Sequence, residues 1–342
     1  MHIGERIRHG RMRAGLSLRA LAEKIGITAP ALGNYENGIT TPDSSRLISI
    51  AEALDIPIEY FFRQEPIISL TPLAYRKKSR FGIKKEKQVI EETRDWLERF
   101  CAIEDILGEQ GKPDLPEPVI LSSPDEIEQI AANLRNRWNL GVEPIQSLMD
   151  IMEQHGIKVC LIEGPKSFDG MIIMVNEELP VIVINRAMSG DRQRLTLAHE
   201  LGHLVCSIPD DWFDDTLFHR FAGAFLFPDE RVKAEFGGGR KKISIEELCI
   251  LKHRYGISMM AILYRAYHLG LISASCLKSM QILFRKNGWH EREPMRPYPP
   301  EMPTYMNQLI MRAYSEGMIT RTRANELYGG DISTICGCES CS

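Results

Sequence analysis

Long apolar runs are the first thing this sequence lacks. The longest, "MIIMV" at 171–175 and "PVIVI" at 180–184, are far too short to cross a bilayer and read as buried strands. A secretory leader is not expected either. The opening "MHIGERIRHGRMRAG" is polar and basic with no apolar core behind it, so the chain is expected to stay in the cytoplasm. There is no net positive charge: 42 Lys and Arg against 46 Asp and Glu give −4. No global field recommends nucleic acid, and any DNA contact must come from a local patch. No long-period repeat is present. The eight cysteines are mostly scattered, as reduced thiols in cores are, except for Cys336, Cys338 and Cys341.

What is there suits a soluble globular chain. Its 342 residues are enough for two or three domains, and 44% hydrophobic with 26% charged content is ordinary. Residues 1–65 read as a bundle of five short helices punctuated by Gly, Asn and Pro. Ser17 caps "LRALAEKIG", Thr28 caps "APALGNYENG", and Pro42 with Asp43 opens the next helix. Two helices joined around Gly26 form a helix-turn-helix. Residues 66–120 read as a basic linker, a connecting helix and a Gly- and Pro-rich boundary. The run from Arg76 to Lys87 either adds phosphate contacts or is a solvated linker. From 121 to 270 two helices, three strands and four more helices follow. Residues 271–342 read as a helical C-terminal segment with a Pro-rich link and a cysteine-rich tail. The fold class is mainly α with an α+β central domain.

Residues 3–62 resemble the Cro/CI-type (XRE-type) helix-turn-helix domain. The match is carried by "LSLRALAEKIGITAPALGNYENGITTPD": the Leu-Ala pair, the Gly turn, the Asn-Tyr-Glu-Asn-Gly close and the following Pro. The resemblance implies that the third helix, Thr28 to Tyr35, enters the major groove of a double-stranded DNA operator. Candidate DNA-binding residues are Ser17, Arg19, Thr28, Ala29, Pro30 and Asn34. Arg6, Arg8, Arg11, Arg13 and Arg19 are expected to supply local positive charge. Because Ala29, Pro30, Ala31 and Gly33 are short, base reading is expected to be modest or shape-based. The alternative is a bundle used for protein contacts.

The stretch "LTLAHELGHLVC" holds His199, Glu200 and His203. Histidines at i and i+4 share a helix face, so both imidazoles can reach one metal. Glu200 points partway round the helix, where it can act as general base on a water without ligating. Small and apolar flanks bury the helix, and buried His and Glu need partners. His155, His253, His268 and His290 have no such context and read as surface or satisfied core residues.

Residues 156–228 resemble the ImmA/IrrE-type zinc metallopeptidases, through "PVIVINR", "RQRLTLAHELGHLV" and "HRFAGAFLFP". The resemblance implies a zincin-like metallopeptidase domain holding Zn2+. It places the third ligand six residues before the Phe221–Ala222 pair, at Asp215. The family usually has Glu there, so a shorter Asp requires a closer helix. His219, one turn on, is the alternative ligand or a neighbour of the site, and Asp214 is a further rival. Three protein ligands leave a fourth position for water. The resemblance further implies limited proteolysis of a regulatory protein, such as a repressor or an antitoxin-like target.

Cys336, Cys338 and Cys341 have spacings that suit a second soft metal or a redox sensor, or belong to an unstructured tail. The expected protein is a DNA-binding regulator carrying a zinc-dependent endopeptidase. It acts on an operator and a protein substrate, without membrane, as a homodimer matched to a two-fold operator. The rival is a repressor or antitoxin whose peptidase-like domain senses or binds without cutting.

Overall fold

The computed structural model describes residues 3–63, 68–73, 82–209, 214–238, 240 and 242–335. The elements follow in the order α1 (Ile3–Arg13), α2 (Leu18–Lys24), α3 (Ala29–Glu36), α4 (Ser44–Leu54), β1 (Leu70–Pro72), α5 (Gly82–Leu107), β2 (Val119–Ile120), α6 (Glu126–Arg137) and α7 (Leu148–Gln154). Then come β3 (Lys158–Ile162), β4 (Gly170–Val175), β5 (Leu179–Asn185), α8 (Gly190–Val205), β6 (Cys206–Ser207), α9 (Thr216–Leu226), α10 (Asp229–Phe236) and α11 (Ile245–Tyr255). The last are α12 (Met259–His268), α13 (Ala274–Lys286), α14 (Tyr305–Ser315) and α15 (Arg321–Tyr328). The fold is mainly α with an α+β part, as the sequence indicates. No helix among the described residues is long and apolar enough to cross a membrane. Cys336, Cys338 and Cys341, and the basic residues from Arg76 to Arg80, lie outside the described residues.

The described residues divide into two compact units: one within Met1–Gly111, Ile173–Glu178 and Thr304–Ser342, the other within Lys112–Ile172 and Leu179–Pro303. In the first, α1 to α4 close over Ile7, Leu21, Leu32, Leu47, Ile50 and Phe61. Ser17, Thr28 and Asp43 each accept a hydrogen bond from the backbone N–H three residues on, at Ala20, Ala31 and Arg46. The fifth helix of the bundle is a 3-10 turn, Ile58–Phe62.

The arginines of α1 depart from expectation. Arg6 is 1% exposed and paired with Glu98, and Arg13 meets Asp95 at 2.9 Å. Arg11 grips Glu36 with two bonds of 2.6 and 2.8 Å. Only Arg8 and Arg19 of the five are exposed. For Arg6 and Arg13 the reason lies in α5. Glu91, Asp95 and Glu98, at spacings of four and three, form one acidic stripe that takes up the basic face of α1. The opposite side of α5, with Phe100 and Ile103, packs against Leu309, Ile310 and Ala313 of α14 and Leu327 of α15. A strand pair also belongs to this unit: Leu70↔Val175, Thr71↔Met174 and Pro72↔Ile173 run antiparallel.

In the second unit β3 and β5 pair in parallel from Lys158↔Val181 to Ile162↔Asn185. Both strands are buried almost throughout, and their unbroken apolar sequence is what a parallel pair covered on both faces requires. β5 leads within five residues into α8. The start of α8 is covered by the chain around Tyr298 to Glu301. The Gly190 N–H donates to the Tyr298 carbonyl at 3.2 Å, and a Cβ at Gly190 would stand 1.9 Å from the Pro299 carbonyl oxygen.

Candidate functional site

Two helices build the site. α8 carries His199 and His203 one turn apart, 9% and 6% exposed. α9 enters at Asp215, which occupies its N-cap position yet makes no capping bond. That task falls to Asp214, whose carboxylate accepts from the Thr216 N–H at 2.9 Å and the Thr216 hydroxyl at 2.7 Å. The two neighbouring aspartates thus do different things: one holds the helix end, the other faces the histidines.

The donor atoms form a nearly equilateral triangle. His199 Nε2 lies 3.2 Å from His203 Nε2, and Asp215 Oδ1 lies 3.7 Å from each. Ligands about 2.0–2.1 Å from a tetrahedral zinc are separated by roughly 3.3–3.4 Å. The three residues therefore match one face of such a coordination shell, and they are the one group among the described residues with the composition and spacing of a metal site.

The approach of α9 to α8 depends on Gly202, inside the motif. A Cβ there would stand 2.9 Å from the Phe221 ring and 3.3 Å from that of Phe218. With hydrogen in its place, the helices come close enough for the short Asp215 side chain to lie 3.7 Å from both histidines. Phe218 also lies against the His203 ring, 3.6 Å between centroids. The far end of α9 is held by buried arginines. Arg135 donates to the carbonyls of Phe225, Gly141 and Glu143 at 2.6 to 2.7 Å, and Arg265 donates to that of Phe227. Burial pushes the Arg135 guanidinium down to about 10. Nothing in the sequence marked Gly202, Arg135 or Arg265, although a glycine between two histidines is a readable sign of close helix contact.

Burial, and then the charge of Asp215, pushes the Glu200 carboxyl up to about 8. A bound dication would oppose both causes. His219 is exposed, with its ring centroid 4.2 Å from that of His199. It borders the triangle formed by Asp215.

Of the nucleic-acid candidates, Ser17, Arg19, Thr28, Pro30 and Asn34 are exposed, while Ala29 is half-buried and packs on the bundle core. The Ser17 and Thr28 hydroxyls already accept capping bonds. His155 stacks on Trp138 and bonds Asp114 at 3.1 Å.

Residues 7–61 match the helix-turn-helix family, and residues 152–267 match the IrrE N-terminal-like domain. The chain carries one domain of each family. Its helix-turn-helix part is 38% identical over 66 residues to an uncharacterized HTH-type transcriptional regulator of Sinorhizobium medicae (strain WSM419), covering 19% of this chain and 48% of that protein. It is 47% identical over 60 residues to one from Rickettsia prowazekii (strain Madrid E), covering 18% and 46%. The chain thus spans about half the length of the curated relatives it matches. Among solved structures, Bacillus thuringiensis PlcR in complex with the peptide PapR7 and DNA aligns over 98% of this chain and 94% of that one. At 14% identity and a TM-score of 0.18 it carries no argument.

Proposed function

We propose that this chain is a DNA-binding transcriptional regulator whose IrrE-like domain is a zinc-dependent endopeptidase. Its substrate is a regulatory protein such as a repressor or an antitoxin-like target. The observation that carries the reading is the triangle of His199, His203 and Asp215 with Glu200 beside it. The chemistry of the donor set fits zinc: two imidazoles and a carboxylate, on two helices held from both ends. Zinc bound there would supply Lewis acidity toward a peptide carbonyl. Glu200 would take a proton from the attacking water and return it to the leaving amine. Phe218 packs against the His203 ring and helps to hold its orientation.

In the other unit, α3 would enter the major groove, and the exposed Arg19 and Asn34 would face phosphates and base edges. Two copies would serve a two-fold operator.

Elemental analysis of the purified chain tests the metal reading. One zinc per chain is expected, kept in Glu200→Gln and lost in Asp215→Ala. Zinc-free wild type would overturn it. Zinc in wild type, with every candidate target left uncut, would favour the domain as a sensor that does not cut.

A further inference from the structure

We propose that the first turns of α5 extend the nucleic-acid face of the helix-turn-helix bundle, with Lys84, Lys85 and Lys87 meeting the phosphate backbone of duplex DNA. The inference rests on the DNA-binding reading above and goes beyond it, since these lysines lie outside the residues that match the helix-turn-helix family.

α5 is fixed to the bundle. His9 Nδ1 lies 2.5 Å from Glu91, Arg13 lies 2.9 Å from Asp95, and Arg6 pairs with Glu98. Val89, between these and the lysines, is 3% exposed. The direction of the helix follows from its contacts. Glu98 sits at Arg6, near the start of α1, and Gln88 sits at Gly15, past its end. The Gln88 side-chain oxygen is 3.1 Å from where a Gly15 Cβ would stand. The approach of Gln88 to Gly15 thus sets the N-terminal turns of α5 beside the turn that joins α1 to α2. Gly15 is two residues from Ser17, the N-cap of α2 and a candidate DNA contact.

Lys84 and Lys85 precede Gln88 by four and three residues. They therefore share its stripe of α5, about one turn further out. Lys84, Lys85 and Lys87 are all exposed, and none is in an ion pair among the described residues. Glu86, between them, is half-buried.

The bundle has need of them. Arg6, Arg11 and Arg13 are already paired with Glu98, Glu36 and Asp95, and Arg46 donates to the Ile25 carbonyl at 3.2 Å. With a chain charge of −4, a duplex meets few unpaired cations on the bundle alone. Three lysines on a rigid helix beside α2 supply sequence-independent phosphate contacts, which position a protein on DNA without reading it.

The test is the salt dependence of binding of the full chain to a mixed-sequence DNA duplex, followed by fluorescence anisotropy. Each phosphate neutralised contributes about 0.9 to the slope of log Kobs against log[salt]. The triple variant Lys84→Gln, Lys85→Gln, Lys87→Gln is expected to lower that slope by about 2–3, on the same rule. The triple Lys→Arg variant is expected to keep it. A charge-matched control, Lys166→Gln, Lys278→Gln, Lys286→Gln, removes three exposed lysines of the other unit and is expected to leave the slope unchanged. Wild-type binding with an unchanged slope in the α5 triple would overturn the proposal. So would an equal loss in the control, which would make net charge the cause. Wild type that binds no duplex would remove the DNA reading itself, and this inference with it.

Discussion

The Arg194 guanidinium is fully buried and pairs with Glu301, which comes from the Pro-rich link more than a hundred residues away. The pairing is wider than two residues. Glu301 Oε2 accepts the N–H groups of Leu148 and Met149 at 2.8 and 3.0 Å, at the start of α7. Arg194 also donates to the carbonyls of Gly256 and Ile145 at 3.1 and 2.9 Å. One ion pair thus joins the helix that carries His199 and His203 to α7 and to the end of α11. Losing one partner of such a pair leaves an uncompensated buried charge, worth about 3–5 kcal/mol. Arg194→Met and Glu301→Ala are each expected to lower stability by about that amount in urea unfolding. The double variant should fall well short of their sum. Full additivity would show that the two do not act as a pair.

Gly202 controls how closely α9 reaches α8. Gly202→Ala should move Phe221 and carry Asp215 away from the histidines. Changes that disturb the support of a metal ligand typically cost 10–100-fold in affinity, and about that loss of zinc affinity is expected here. Competition with a chelator reads it. Unchanged affinity would mean that Asp215 tolerates a shifted helix, or does not ligate.

Asp95 and Glu98, three residues apart on α5, are set to titrate in opposite directions. Burial raises Asp95, but the guanidinium groups of Arg99, Arg13 and Arg63 outweigh it and hold the carboxyl below its ordinary range. Its stabilisation is therefore complete above the unfolded value, about 3.9, and is lost as pH falls through the lower folded value. Burial lifts Glu98 above its ordinary range despite Arg6. Its contribution runs the other way: present at low pH and lost as pH rises through the folded value. Asp95→Asn should be less stable than wild type at neutral pH and should converge with it as pH falls through the lowered folded value. A gap that persists through acid would refute the assignment.

Arg135 makes three bonds to backbone carbonyls and none to a carboxylate among those described. Arg135→Met strands the Phe225 carbonyl of α9 and the carbonyls of Gly141 and Glu143, at about 1–3 kcal/mol for each buried acceptor left unsatisfied. A fall in thermal midpoint with a matching fall in zinc content at the unfolding edge is expected. A stable variant would show that water replaces the guanidinium.

Much of this was readable in the sequence because it is local. Ser17, Thr28 and Asp43 cap the helices whose starts their polar side chains announce. The apolar runs at 158–162, 170–175 and 179–185 became strands. The i, i+4 spacing put His199 and His203 on one face. What was not readable depends on distant partners. The arginines of α1 look like a basic surface until the acidic stripe of α5 is laid on them. Asp214 and Asp215 are chemically alike, and only the helix end between them separates their tasks. Residues 271–342 read as one segment, yet α13 belongs to the second unit while α14 and α15 pack on α5. No periodicity announces which helix another will choose.

That last arrangement bears on how the chain is made. The core around Phe100 and Ile103 is finished by Leu309, Ile310 and Leu327, more than two hundred residues later. While the ribosome works through the intervening stretch, α5 already holds the acids that seat α1 but has no cover for its own apolar face. The first unit is complete only when the last helices emerge. A product cut short before Tyr305 would leave that face open to chaperones and proteases. The order of synthesis thus makes the N-terminal unit a check on whether α14 and α15 were made.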